Sequence, residues 1–196
     1  MGFAPDAVVQ VSQVDDENWR LERELAYRGQ SDGFVAPVGM GTDFASVPRV
    51  FVWLLPRYGR YTKAAIIHDY LWRTRVGQGD LSWKDADGLF RRAMRELGVP
   101  FLRRWMMWSA VRWAALLKPG GAHGWWRESP RVLLVSLVVA PIVLPPAALI
   151  LLALGVFYVL EFVLWVPLKV GEAIVRRRPA APAPKQVNMP DLELKL

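Results

Sequence analysis

The sequence contains no cysteine and only two histidines, His68 and His123. Without thiols there are no disulfides, no zinc–thiolate sites and no cysteine nucleophile. The N-terminal stretch Met1–Arg20 lacks a basic segment followed by an apolar one, so no secretory leader is expected. Asp6 stands where N-myristoylation prefers Ser or Thr. The most informative absence lies near the other end: from Val132 to Leu160 there is no charged residue.

What is present follows from that asymmetry. The hydrophobic fraction is 53% of 196 residues, with the excess concentrated after Arg131. The formal net charge is +7. Much of it brackets the apolar stretch, as Arg127, Arg131, Lys169 and the run Arg176-Arg177-Arg178, where anionic lipid headgroups attract basic side chains. No nucleic-acid-binding motif accompanies the charge, so no specific nucleic-acid partner is expected. The expected partner is a lipid bilayer.

One spanning helix needs roughly 20 apolar residues, and Val132–Leu168 as a single helix would measure about 55 Å against a hydrocarbon core of about 30 Å. Pro141 and the pair Pro145-Pro146 interrupt the run, and proline both removes a backbone donor and clashes with the preceding turn. Length, proline and basic flanks together predict a membrane-embedded helical hairpin over residues 132–170, with both ends cytoplasmic. A re-entrant hairpin or one tilted, kinked span are the alternatives. The setting this implies is a membrane with the N-terminal domain on the cytoplasmic side. Residues 119–131 read as a linker, and 171–196 as a basic and then Pro/Ala-rich flexible tail.

The part before the linker, residues 1–118, reads as an α+β domain in which a small antiparallel sheet precedes a helical bundle. Alternation in Val8–Val14 and Trp19–Glu22 predicts strands. Ser46-Val47-Pro48 reads as the start of a short helix reaching Leu55, with Ser46 as its cap. Ala64, Ile67, His68, Leu71 and Trp72 fall at helical spacing within Tyr61–Arg75. Ser82-Trp83-Lys84-Asp85 matches a capping box opening a third helix. Asp87 lies inside the apolar stripe of that helix, where a carboxylate requires a partner. A fourth helix, Phe101–Trp113, mixes arginines with tryptophans, the character either of an interfacial helix or of one packed in the domain.

Three ordered motifs, Gly41-Thr42-Asp43-Phe44-Ala45-Ser46-Val47-Pro48-Arg49, Ala65-Ile66-Ile67-His68-Asp69-Tyr70-Leu71-Trp72 and Ala86-Asp87-Gly88-Leu89-Phe90-Arg91-Arg92-Ala93-Met94, resemble the domain-of-unknown-function family 1353 over roughly Val8 to Ala114. The resemblance implies a bacteriophage or prophage origin and places Asp43, the His68-Asp69 pair and Asp87 in the family's pattern. It implies no settled activity. The His68-Asp69 pair with a further Asp is also similar to the HD phosphohydrolases, but the upstream histidine of that pattern is missing here.

Two readings of these residues stand side by side. In one, His68, Asp69 and Asp87 are metal ligands or acid–base groups with Asp43 completing the site, and a divalent Zn, Mn or Mg ion supports hydrolysis. In the other, the carboxylates pair with Arg49, Arg57, Arg60 or Arg91 and hold the fold, and the protein is a membrane-anchored assembly or lysis-related module contacting phage or host envelope proteins.

Overall fold

A computed structural model describes residues 2–29, 32–45 and 47–176. The architecture is α+β. Six short strands come first: β1 (Gly2–Phe3), β2 (Val11–Gln13), β3 (Trp19–Leu21), β4 (Leu25–Arg28), β5 (Gly33–Ala36) and β6 (Gly41–Thr42). They form two antiparallel sheets, in the orders β1-β4-β5 and β2-β3-β6, where a single small sheet was expected. In the first sheet Leu25 pairs with Ala36 and Tyr27 with Phe34. Period-two alternation sends Leu25 and Tyr27 to the same face, and both are buried there.

Four α-helices follow: α1 (Thr62–Tyr70), α2 (Trp83–Glu96), α3 (Phe101–Ala115) and α4 (Ser129–Arg176). The short helix expected from Ser46 to Leu55 contracts to a 3-10 turn, Arg49–Phe51. Pro48 and Pro56 bound this segment, leaving too few residues to propagate an α-helix after its costly nucleation. Ser46 itself, the expected cap, lies outside the described residues. α1 is buried from Ala64 through His68 because it packs on both the β4-β5 sheet and α2. Beyond Tyr70 the coil widens into a π-helical stretch, Leu71–Val76, a rare geometry that recurs at functional sites.

The start of α2 is as the sequence predicts. The Asp85 amide donates to Ser82 Oγ at 3.1 Å, and Ser82 Oγ donates to Asp85 Oδ2 at 2.6 Å. Ser82→Ala should cost about 1 kcal/mol, read as a lower thermal midpoint with an unchanged fold. The stripe Ala86, Leu89, Phe90, Ala93 and Met94 fills the core against α1, while α3, buried at Met107, Trp108, Ser109 and Arg112, packs on α2. α3 is therefore a domain helix along one face, although Phe101, Leu102 and Trp113 remain exposed.

The predicted hairpin does not form among the described residues. α4 runs as one helix of 48 residues through Pro141, Pro145 and Pro146. Proline at these positions withdraws the donors that would meet the carbonyls of Leu137, Pro141 and Ile142, but the residues on either side keep their own bonds, so the helix is perturbed without reversing. α4 also begins earlier than the expected boundary, which shortens the linker to a few turns and the 3-10 segment Trp125–Arg127. The chain divides into two compact units, one of Met1–Val47 with Phe51–Pro141 and another of Pro48–Val50 with the chain from Ile142 onward. In the second, apolar side chains such as Leu149 (67%) and Leu152 (66%) are exposed to an extent unusual for a water-soluble helix.

Candidate functional site

Adjacent residues on a helix point about 100° apart, and this separates the His68-Asp69 pair. His68 turns toward α2, where its Nε2 meets Asp87 Oδ1 at 2.7 Å. The same oxygen accepts from Trp72 Nε1 at 2.9 Å, and Asp87 Oδ2 accepts from Arg112 Nη1 at 2.9 Å. An ionised carboxylate only accepts, so the proton in the His68–Asp87 bond sits on Nε2. The imidazole is stacked on Phe90, with centroids 4.6 Å apart, and flanked by Trp72 at 4.8 Å. Arg112 continues the series, its Nε lying 2.9 Å from Glu128 Oε2.

The result is a chain of groups, His68, Asp87, Arg112 and Glu128, joining α1, α2, α3 and the turn before α4. Asp87 and Arg112 are each 0% exposed. Such burial is tolerable because each charge meets an opposite one and both Asp87 oxygens accept hydrogen bonds. The arginine that meets Asp87 is thus Arg112 rather than Arg49, Arg57, Arg60 or Arg91. Arg112 and Glu128 escape a sequence reading because they stand in a Trp-rich helix and a presumed linker. The one available signal was Arg112 falling four residues after the buried Trp108.

Asp69 turns toward the β6 side of the domain. Thr42 Oγ1 donates to its Oδ2 at 2.8 Å, and the Phe44 amide donates back to Thr42 Oγ1 at 3.0 Å. Burial, and then the negative charge of Asp43, push the Asp69 carboxyl up to about 6; Thr42, His68 and Arg73 oppose the rise. Arg73 is fixed nearby by donating from Nη1 to the Gly41 carbonyl at 3.0 Å. Phe44 holds φ at 64°, a left-handed conformation unusual for an aromatic residue, and its ring packs on Trp19. The strained loop and the π-helical stretch thus flank the same carboxylate pair.

The four sequence-predicted residues therefore fall into two groups: His68 with Asp87, and Asp69 near Asp43. Residues 19–111 match the family described as Protein of unknown function (DUF1353). Both groups lie within the matched segment, whereas Arg112 falls just beyond it and α4 lies wholly outside. No curated protein and no solved structure matches the chain.

Metal binding finds little support in this geometry. Among the described residues no group of three or more His, Asp or Glu side chains is arranged to hold a metal ion. At Asp87 the physical reason is plain: its oxygens already receive three donors, and a cation there would face the Arg112 guanidinium. At Asp69 and Asp43 the two carboxylates fall short of a ligand set. The arrangement can instead hold a proton, since the raised Asp69 carboxyl exchanges one near neutrality.

Proposed function

We propose that the protein is a membrane-tethered accessory protein of phage or prophage origin, its DUF1353 domain an interaction module rather than an enzyme. The observation that carries the tethering is α4, whose residues Ser129–Ala173 have a mean hydropathy of 2.6 in their most apolar window, with 6% of that window buried. So much uncovered apolar surface is stable in hydrocarbon and unfavourable in water. As one tilted span, α4 exceeds the hydrocarbon thickness and leaves basic residues at either interface. Arg127 and Arg131, beside its first turn, have the charge pattern of a cytoplasmic flank in a bacterial inner membrane. The phage setting is what the three sequence motifs imply.

The interaction reading is supported by the pairing within the His68–Asp87 network, where both Asp87 oxygens are taken up by His68, Trp72 and Arg112. Its partners would be phage or host envelope proteins. A second reading, acid–base chemistry at Asp69, is favoured by one observation, the carboxyl raised beside Asp43 in a strained loop. The tether is tested by washing membranes bearing the full chain in alkaline carbonate. The chain should remain in the pellet, and its release into the supernatant would rule out an embedded α4.

A further inference from the structure

A second cluster lies away from both carboxylate groups, where α2 meets the start of α3. Arg91, Arg92, Arg95 and Arg104 converge there on a cavity of about 370 Å³ whose apolar wall is Phe101 and Trp105. Arg92 is already engaged, since its Nη2 donates to both carboxylate oxygens of Asp32 at 2.6 and 2.7 Å. The other three carry no such carboxylate bond among the described residues. The Arg91 guanidinium carbon lies over the Trp105 ring, 4.4 Å from its centroid, a cation–π contact that helps hold the group in place. Its Nε is shut off from solvent and has no hydrogen-bond partner among the described residues.

Burial, and then the positive charges of Arg104, Arg131 and Arg95, hold Arg91 below the ordinary arginine value, with Glu128 acting weakly the other way. Glu128 is itself taken up by Arg112. A guanidinium cannot relieve this repulsion by losing its proton, so the cluster is an unneutralised positive site. An oxyanion with several acceptor oxygens matches it, because planar guanidinium forks bind phosphate bidentately.

Two further observations select the source of the phosphate. Arg131, whose charge acts on Arg91, belongs to the first turns of the apolar helix α4. Phe101, on the cavity wall, and the adjacent Leu102 are 68% and 46% exposed. A free phosphate has no use for an apolar lip, whereas a lipid brings acyl chains to it. We propose that the Arg91–Arg95–Arg104 pocket binds the phosphodiester of an anionic membrane lipid. This rests on the membrane reading of α4 and adds to it a headgroup preference.

The test uses the full chain in an uncharged detergent, with the thermal midpoint followed while short-chain phosphatidylglycerol, phosphatidylcholine of the same chain length or inorganic phosphate is added. Phosphatidylglycerol should raise the midpoint, and the other two should not at equal concentration. Arg91→Gln with Arg104→Gln should weaken the apparent affinity roughly tenfold or more, from loss of charge-assisted bonds. Arg95→Gln, at an exposed position where folding is not at stake, should weaken it in the same direction, and Arg23→Gln on the strand side should not. Equal responses to the two lipids, an equal response to inorganic phosphate, or an unaltered response in Arg95→Gln and the double variant would each overturn the proposal. The carbonate wash separates the two readings. Phosphatidylglycerol preference in a chain that washes off keeps the pocket and removes the anchor; no preference in a chain that stays removes the pocket and keeps the anchor.

Discussion

Asp87→Asn should lower the unfolding free energy by about 3–5 kcal/mol, the cost of leaving a buried charge without its partner. The substitution keeps the shape of the side chain and removes the negative charge that faces Arg112 at 2.9 Å. Arg112 would then have only Glu128, and an amide nitrogen would confront either the Nε2–H of His68 or the guanidinium. Arg112→Met should be destabilising to a similar degree, because it strands Asp87 instead. Changing both together should cost less than the sum of the single changes, since neither charge then remains alone in the core. Denaturant melts of the two single variants and the double variant give the coupling directly. Additive losses would mean that the two residues do not act as a pair.

Asp69→Asn should act in the opposite direction, stabilising the protein at neutral pH. The carboxyl titrates at about 6 in the folded chain against an ordinary value of 3.8. Below about pH 4 the folded and unfolded states are both protonated, and the aspartate costs nothing relative to asparagine. Between there and about pH 6 only the folded state keeps its proton, so stability falls as pH rises. Above about 6 the folded group is ionised too, and the full penalty applies, about 1–3 kcal/mol for a displacement of this size. Asparagine can still accept the Thr42 hydroxyl, so the hydrogen bond survives while the charge does not. Thermal midpoints measured from pH 4 to 7.5 should show the variant above the wild type at the neutral end and level with it at the acid end. A constant difference across the range would show that Asp69 does not titrate there. A carboxylate whose ionisation its surroundings oppose is a candidate for a used group, and the same variant asks whether Asp69 has such a use.

The two predictions concern carboxylates that the sequence displays very differently. Asp87 betrays itself, because an apolar stripe with period 3.6 leaves no innocuous place for a charge. Its partner is harder to find. Arg112 sits among tryptophans, a composition equally suited to a bilayer surface, and only the packing of α3 against α2 shows that it points inward. Asp69 is misleading for another reason: proximity in sequence to His68 suggests a shared site, while helix geometry sends the two side chains to different neighbours.

The larger elements show the same division. The capping box at Ser82 and the stripe of α2 are local patterns, and both are present as read. Strands of two to four residues are too short for alternation to fix their pairing, so the second sheet was not legible. In α4 the prolines were given the power to reverse the chain, but a long apolar helix keeps enough of its other backbone bonds to continue past them.

The foot of α4 has a consequence of its own. Val132 is fully buried beside Trp108 and Trp125, and Glu128 just before it ends the ion-pair series that starts at His68. The first turns of α4 thus belong to the packed core of the domain and are no slack linker. A change at Glu128 would therefore be passed to Arg112 and Asp87, making the foot of α4 and the polar core one structural element.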